Sequence, residues 1–198
     1  MSYKTIKIRH ALLAVILASI AITVPALELQ AQTTETNLAL LSRPGHHAII
    51  RHAIAPGTGD PSDFKVGDCA TQRNLSQEGR NQSVALGEVF KAADIAPTQI
   101  LSSAWCRTTE TAELMDLGKV VTFESLNSVW TASRETSRKR TEDLIRFLKQ
   151  TDENETLLMV THAVNISALT GQSSVSGGGY IIWVQDGGIE IVGRITPP

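Results

Sequence analysis

The chain has 198 residues, of which 42% are hydrophobic, 19% charged and 5% aromatic, and its formal net charge is −2. This length and apolar fraction suit one folded domain and exclude a largely disordered chain. The slightly acidic balance gives no basic field for nucleic acid. Two cysteines are too few for a disulfide-rich scaffold or a four-cysteine zinc site. The composition is therefore compatible with an enzyme or with a protein that binds a small molecule.

The amino terminus has the pattern of a secretory signal peptide. Basic residues precede an apolar run over residues 11–26, which is shorter than the ~20 residues that a membrane-spanning helix needs. Small residues then offer cleavage after Ala26 or Ala31. We therefore expect a signal peptide over residues 1–31 and a single domain over residues 32–198. The mature protein would be periplasmic or secreted, without stable membrane association. An uncleaved anchor is the alternative.

The remaining chain alternates short apolar runs with helical patterns. Strands are predicted over residues 48–50, 99–101, 120–123 and 157–160, and a terminal hairpin over residues 180–184 and 189–195. Helices are predicted from Ser76, which caps its own helix with its hydroxyl, and over residues 108–115, 138–150 and 164–169. This alternation predicts an α/β fold, a three-layer sandwich with a mostly parallel central sheet and helices on both faces.

Histidines and arginines follow three of the predicted strands. Arg51 and His52 follow the first strand, Arg107 comes shortly after the second, and His162 follows the fourth. Ligands of such sheets bind at the carboxyl ends of the strands, so we expect these side chains in one site. Arginine matches phosphate oxygens with a planar fork of donors, and histidine can act as a nucleophile. The turn around Thr58 could add backbone amides. Two arginines would repel a metal ion, so no metal site is expected.

Four segments in the same order resemble the histidine phosphatase superfamily, in its phosphoglycerate-mutase-like branch. They are RHA at residues 51–53, NLSQEGR at 74–80, SSAWCRTTETA at 102–112 and VTHA at 160–163. The amino-terminal segment and the last motif are most similar to exported members, such as the lipopolysaccharide core heptose phosphatase group. The resemblance covers nearly the whole predicted mature chain.

The resemblance implies an exported phosphomonoesterase that acts on a small phosphate ester without metal or cofactor. His52 would become phosphohistidine, while Arg51, Arg107 and His162 neutralise the phosphoryl oxygens. A mutase that moves phosphate within a substrate and a non-catalytic phosphate-binding module are the alternatives. No nucleic-acid partner is expected, and no oligomeric state is predicted.

The sequence departs from the family pattern at two points. Thr58 stands where many members have a substrate-binding asparagine, and no glutamate matches the usual proton donor to the leaving group, with Ser128 near that position. Asp60 is the first candidate for this acid, because the glycine turn before it could fold it over the site. Glu124 and Asp63 are the rivals.

Cys69 lies in the loop before the first long helix, and Cys106 directly precedes Arg107. In an exported protein a disulfide is the favoured state of such a pair. We therefore predict a bridge that fixes the loop of Arg107, with two buried free thiols as the alternative.

Overall fold

The computed structural model describes residues 38–198, so the predicted signal peptide lies outside the described residues. Six strands form one sheet in this part of the chain: β1 (His46–Arg51), β2 (Gln99–Ser102), β3 (Val120–Thr122), β4 (Leu157–Thr161), β5 (Gly179–Gln185) and β6 (Gly188–Ile195). Their order across the sheet is β3-β2-β4-β1-β5-β6. Among residues 38–198, no helix is long and apolar enough to cross a membrane.

The sheet is mixed. Strands β3, β2, β4 and β1 pair in parallel, whereas β5 is antiparallel to β1 and β6 is antiparallel to β5. The last two strands are joined by the two-residue turn at residues 186–187, and so short a loop permits only an antiparallel return. The terminal hairpin is thus confirmed, and the expected parallel arrangement is limited to four strands.

Four α-helices accompany the sheet in the described part of the chain: α1 (Gln77–Ala92), α2 (Cys106–Leu114), α3 (Arg134–Gln150) and α4 (Ala163–Thr170). The Ser76 hydroxyl accepts a hydrogen bond from the amide of Gly79 at 3.1 Å, which confirms the predicted cap. Helix α3 begins four residues before the predicted start at Arg138, because Ser133 caps it by accepting from the amide of Thr136. The α/β class is therefore confirmed.

The sheet is buried between two hydrophobic clusters. Ala48 and Ile50 of β1 belong to a cluster that includes residues of α1 and α2, whereas Ile49 belongs to one that includes residues of α3 and α4. Successive side chains of a strand point to opposite faces, so a strand buried on both faces has no polar alternation. This explains the continuous apolar runs of β1 and β4.

Strand register brings the candidate site together. Arg51 pairs with Thr161 across β1 and β4, so the histidines that follow both strands leave the sheet at the same level. Helix α1 packs closely against the segment that follows β1, because Gly79 faces the carbonyl oxygen of Ile54. A Cβ atom at position 79 would lie only 2.0 Å from that oxygen. Only glycine allows this approach, which accounts for its place in the NLSQEGR segment.

Candidate active site

A cavity of about 140 Å³ opens at the carboxyl ends of the parallel strands. Its walls come from five stretches of the sequence: Arg51, His52, Gly57, Thr58, Gly59, Asp60, Arg73, Arg107, Ser128, Trp130, His162, Ala163 and Val164. The structure thus brings together the two histidines and two arginines that follow the strands, with Thr58 and Asp60 from the loop after β1. Glu124 is not among the lining residues; it begins a short 3-10 helix after β3. Asp63 is exposed.

His52 is 2% exposed, and its Nδ1 lies 2.7 Å from the carbonyl oxygen of Ala53. A carbonyl only accepts, so Nδ1 carries the proton and Nε2 keeps its lone pair. Burial lowers the pKa of this imidazole from 6.5 to about 3, and the positive charges of Arg107 and Arg51 add to the shift. His52 is therefore neutral at pH 7 and has the protonation state of a nucleophile.

His162 is 4% exposed and lies beside His52, with ring centroids 5.6 Å apart. Its Nε2 makes a 2.9 Å hydrogen bond with the hydroxyl of Ser103, which follows β2. Trp105 packs against the same imidazole in an edge-on arrangement. Burial lowers the pKa of His162 well below 6.5, and the charge of Arg107 acts in the same direction. Its ring is thus neutral and fixed in orientation.

Arg107 and Asp60 form a buried ion pair, with side chains 3% and 9% exposed. The Nη1 and Nη2 groups of Arg107 donate to Oδ1 and Oδ2 of Asp60 at 2.7 and 3.1 Å. The indole of Trp105 and the backbone amide of Arg73 also donate to this carboxylate, each at 3.1 Å. Burial alone would raise the pKa of Asp60, but the hydrogen bonds from Arg107 and Arg73 outweigh it and the pKa is lowered.

The Nε atoms of Arg51 and Arg107 are buried and have no hydrogen-bond partner among the described residues. Leaving a buried donor unpaired costs about 1–3 kcal/mol, and charged donors cost more. Both arginines line the same cavity, and anions are the ligands that arginine donors bind. Arg51 is anchored by its Nη1, which donates to the carbonyl of Ser174 at 3.3 Å.

Arg73 is a third cavity arginine that the sequence reasoning missed. Its Nε donates to the carbonyl of Gly59 at 2.7 Å, and its Nη1 donates to the carbonyl of Ala55. These bonds hold the loop that carries Thr58 and Asp60. Burial lowers the pKa of Arg73, and the charge of Arg107 adds to this. Arg73 follows no strand, so the sequence signals for it are its closeness to Cys69 and its position directly before the NLSQEGR segment.

Cys69 and Cys106 form the predicted disulfide, which joins the loop before α1 to the first residue of α2. Next to it, the Gln72 side chain accepts from the Cys106 amide at 3.0 Å. The bridge therefore ties the segment of Arg73 to the residue that precedes Arg107.

Replacing both cysteines, as Cys69→Ser with Cys106→Ser, is expected to lower the free energy of unfolding by ~2–4 kcal/mol, because the bridge restricts the unfolded chain. Urea unfolding with and without reductant measures the effect. The same reductant should leave the double variant unchanged. Equal stability of the oxidised wild type and the double variant would contradict this prediction.

Comparisons with known proteins identify the fold. No family model and no curated protein matches the chain. Among solved structures, Entamoeba histolytica phosphoserine phosphatase in complex with 3-phosphoglyceric acid is 14% identical, with 76% of this chain and 96% of that chain covered and a TM-score of 0.60. A mycobacterial glucosyl-3-phosphoglycerate phosphatase is 18% identical, with 76% and 98% covered and a TM-score of 0.52.

A third solved structure, the protein histidine phosphatase SixA complexed with tungstate, is 15% identical, with 76% of this chain and 96% of that chain covered and a TM-score of 0.51. These structural neighbours are members of the histidine phosphatase superfamily. At such low identities the likeness concerns the chain path alone. The chain therefore has the fold of these phosphatases.

Proposed function

We propose that this protein is an exported phosphomonoesterase that hydrolyses a small phosphate ester through a phosphohistidine at His52. One observation carries the proposal: a neutral, oriented imidazole shares a cavity with two buried arginine Nε donors that lack partners. The structural neighbours bear the names of phosphatases, which supports the reaction class.

In the first step, Nε2 of His52 attacks the phosphorus atom opposite the leaving oxygen. An N–P bond forms, the P–O bond breaks, and its electron pair stays on the leaving oxygen. The positive charges of Arg51 and Arg107 neutralise the equatorial oxygens, and the neutral ring of His162 lies beside the transferring group and can donate a hydrogen bond to it. Water then attacks phosphorus, the N–P bond breaks, and its electrons return to Nε2 as inorganic phosphate leaves.

The arginine charges at the cavity also favour a reaction that needs no metal ion. Arg51, Arg73 and Arg107 all line the cavity, so the site attracts anions and repels cations. Among residues 38–198, no three His, Cys, Asp or Glu side chains are grouped to hold a metal ion. We propose that the guanidinium groups supply the charge neutralisation that a metal ion supplies in other phosphatases.

Two features support the proposed export. The segment over residues 1–31 has the pattern of a signal peptide, and the Cys69–Cys106 bridge suits an oxidising compartment. We propose that the mature protein acts in the periplasm or outside the cell, without stable membrane association after cleavage.

Incubation with p-nitrophenyl phosphate in the presence of a chelator tests the function. Steady release of nitrophenol, with an acid-labile phosphoryl label on His52 after rapid quenching, is expected. Tight binding of inorganic phosphate without turnover would identify a binding module. Transfer of the phosphoryl group to a second hydroxyl of a sugar phosphate, without release of phosphate, would identify a mutase.

Trp130 is 60% exposed at the cavity wall, where it can stack on an aromatic leaving group. Trp130→Ala is expected to lower kcat/KM for p-nitrophenyl phosphate by about 3- to 10-fold, the range of one aromatic contact. Acetyl phosphate, which has no ring, should be unaffected. Trp183→Ala is the matched control, because Trp183 stacks on His46 and does not line the cavity. An equal loss for both substrates would contradict the stacking.

A further inference from the structure

The Asp60 carboxylate is fully occupied by donors of the protein itself. Oδ1 accepts from Nη1 of Arg107 and from the amide of Arg73, and Oδ2 accepts from Nη2 of Arg107 and from the indole of Trp105. Each oxygen thus receives two N–H groups. A proton on either oxygen would face donors instead of an acceptor, so this arrangement holds the ionised form. An ionised carboxylate has no proton to give to a leaving group.

The contact also determines which edge of Arg107 is left without a partner in the protein. Asp60 takes the edge formed by Nη1 and Nη2, whereas Nε stays buried and unpartnered. A bidentate pair fixes the plane of the guanidinium group. Asp60 therefore does not compete for the Nε donor; it holds that donor in place.

No second carboxylate lines the cavity among the described residues. The polar lining side chains apart from the histidines and arginines are the hydroxyls of Thr58 and Ser128, together with the indole of Trp130. Alcohols and indole are far weaker acids than a carboxyl group, and they give little general-acid assistance near neutral pH.

We propose that Asp60 is a positioning residue for Arg107, and that this site takes phosphoryl groups whose leaving group departs without being protonated. Aryl phosphates, acyl phosphates and phosphoramidates that enter with the nitrogen already protonated form this class, and simple alkyl phosphates do not. The inference deepens the proposed function and rests on it. It replaces the role of proton donor that the sequence suggested for Asp60.

A leaving-group series tests the inference. Wild-type kcat/KM is measured for p-nitrophenyl, phenyl and glycerol phosphates, since kcat/KM reports the steps up to formation of the phosphoenzyme. A fall of more than about tenfold at each increase in leaving-group basicity is expected, because unassisted departure follows basicity. A nearly constant kcat/KM across the series would overturn the proposal.

Two variants separate positioning from acid catalysis. Asp60→Asn and Asp60→Ala are expected to lower kcat/KM by a common factor of about 10 to 100 for all three substrates. A misplaced Arg107 stabilises the transition state less well, whichever leaving group the substrate has. Loss confined to glycerol phosphate would instead establish Asp60 as the acid. Asp63→Asn, an exposed carboxylate of the same loop, is the matched control. Failure of the proposed function itself has a different signature: no phosphoryl label on His52 with any substrate.

Discussion

His52→Ala is expected to lower the turnover of p-nitrophenyl phosphate by at least about a thousandfold, because the covalent route is lost with the nucleophile. The imidazole of His52 is held neutral, with the lone pair of Nε2 free to attack phosphorus. Its Nδ1 proton is held by the Ala53 carbonyl, and its pKa of about 3 leaves Nε2 unprotonated at any pH above mild acidity. Initial rates and rapid-quench labelling measure the loss.

Binding of the anion should survive the same change. Arg51 and Arg107 keep their unpaired Nε donors when only His52 is altered, so inorganic phosphate should still bind within about tenfold of the wild-type affinity. His52→Asn is a useful second variant, since its side-chain amide can still donate to the Ala53 carbonyl. Calorimetric titration with phosphate measures binding. Turnover close to the wild-type rate in both variants would exclude the phosphohistidine route.

The site could be anticipated where the backbone alone determines position. Arg51, His52 and His162 directly follow buried strands, and parallel strands in register end at one edge of the sheet. The short apolar runs that predict the strands were therefore sufficient to predict that His52 and His162, more than a hundred positions apart, lie in one site. The position of Arg107 could also be predicted, because it lies in the first turn of the helix that follows β2.

The place of Arg73 and the partner of Asp60 depend on loop paths that the sequence does not indicate. Asp60 and Arg73 lie between β1 and α1, where no periodicity constrains the chain, and their contacts with Arg107 follow from a disulfide and from carbonyls that hold Arg73. The expectation that Asp60 folds over the cavity was correct in place. Its ion pair with Arg107 could not be predicted, because no sequence pattern identifies the partner of a carboxylate in a loop.

Helix ends show a related limit. The apolar side chains that mark α3 begin only at Leu144, the eleventh residue of the helix, so they do not fix its start, which the sequence predicts at Arg138. The first turn is polar, and its amides are satisfied by the Ser133 hydroxyl. Ser133, a capping residue ahead of the apolar pattern, is the sequence signal for this start.

Acidification from pH 7 to pH 5 is expected to destabilise the protein strongly, because three buried histidines are neutral in the folded state. Burial lowers the pKa of His47 to about 4, that of His52 to about 3 and that of His162 well below 6.5. The unfolded chain takes up protons below pH 6.5 and the folded chain does not, so stability falls as pH falls through this window. His47 and His52 each contribute about 2 kcal/mol of loss at pH 5, and His162 adds a loss in the same direction.

Urea unfolding at several pH values measures this loss, in phosphate-free buffer because bound phosphate would stabilise the folded state. His47→Asn is the informative variant, since His47 lies outside the cavity and its Nδ1 accepts from the Leu157 amide, a bond that an asparagine oxygen can replace. The variant should lose about 2 kcal/mol less than the wild type between pH 7 and pH 5. Carboxylates contribute little in this window, because their pKa values in the unfolded chain lie near 4. A free energy of unfolding that stays constant from pH 7 to pH 5 would mean that these imidazoles bind protons in the folded state, and His52 would then not be held as a free nucleophile.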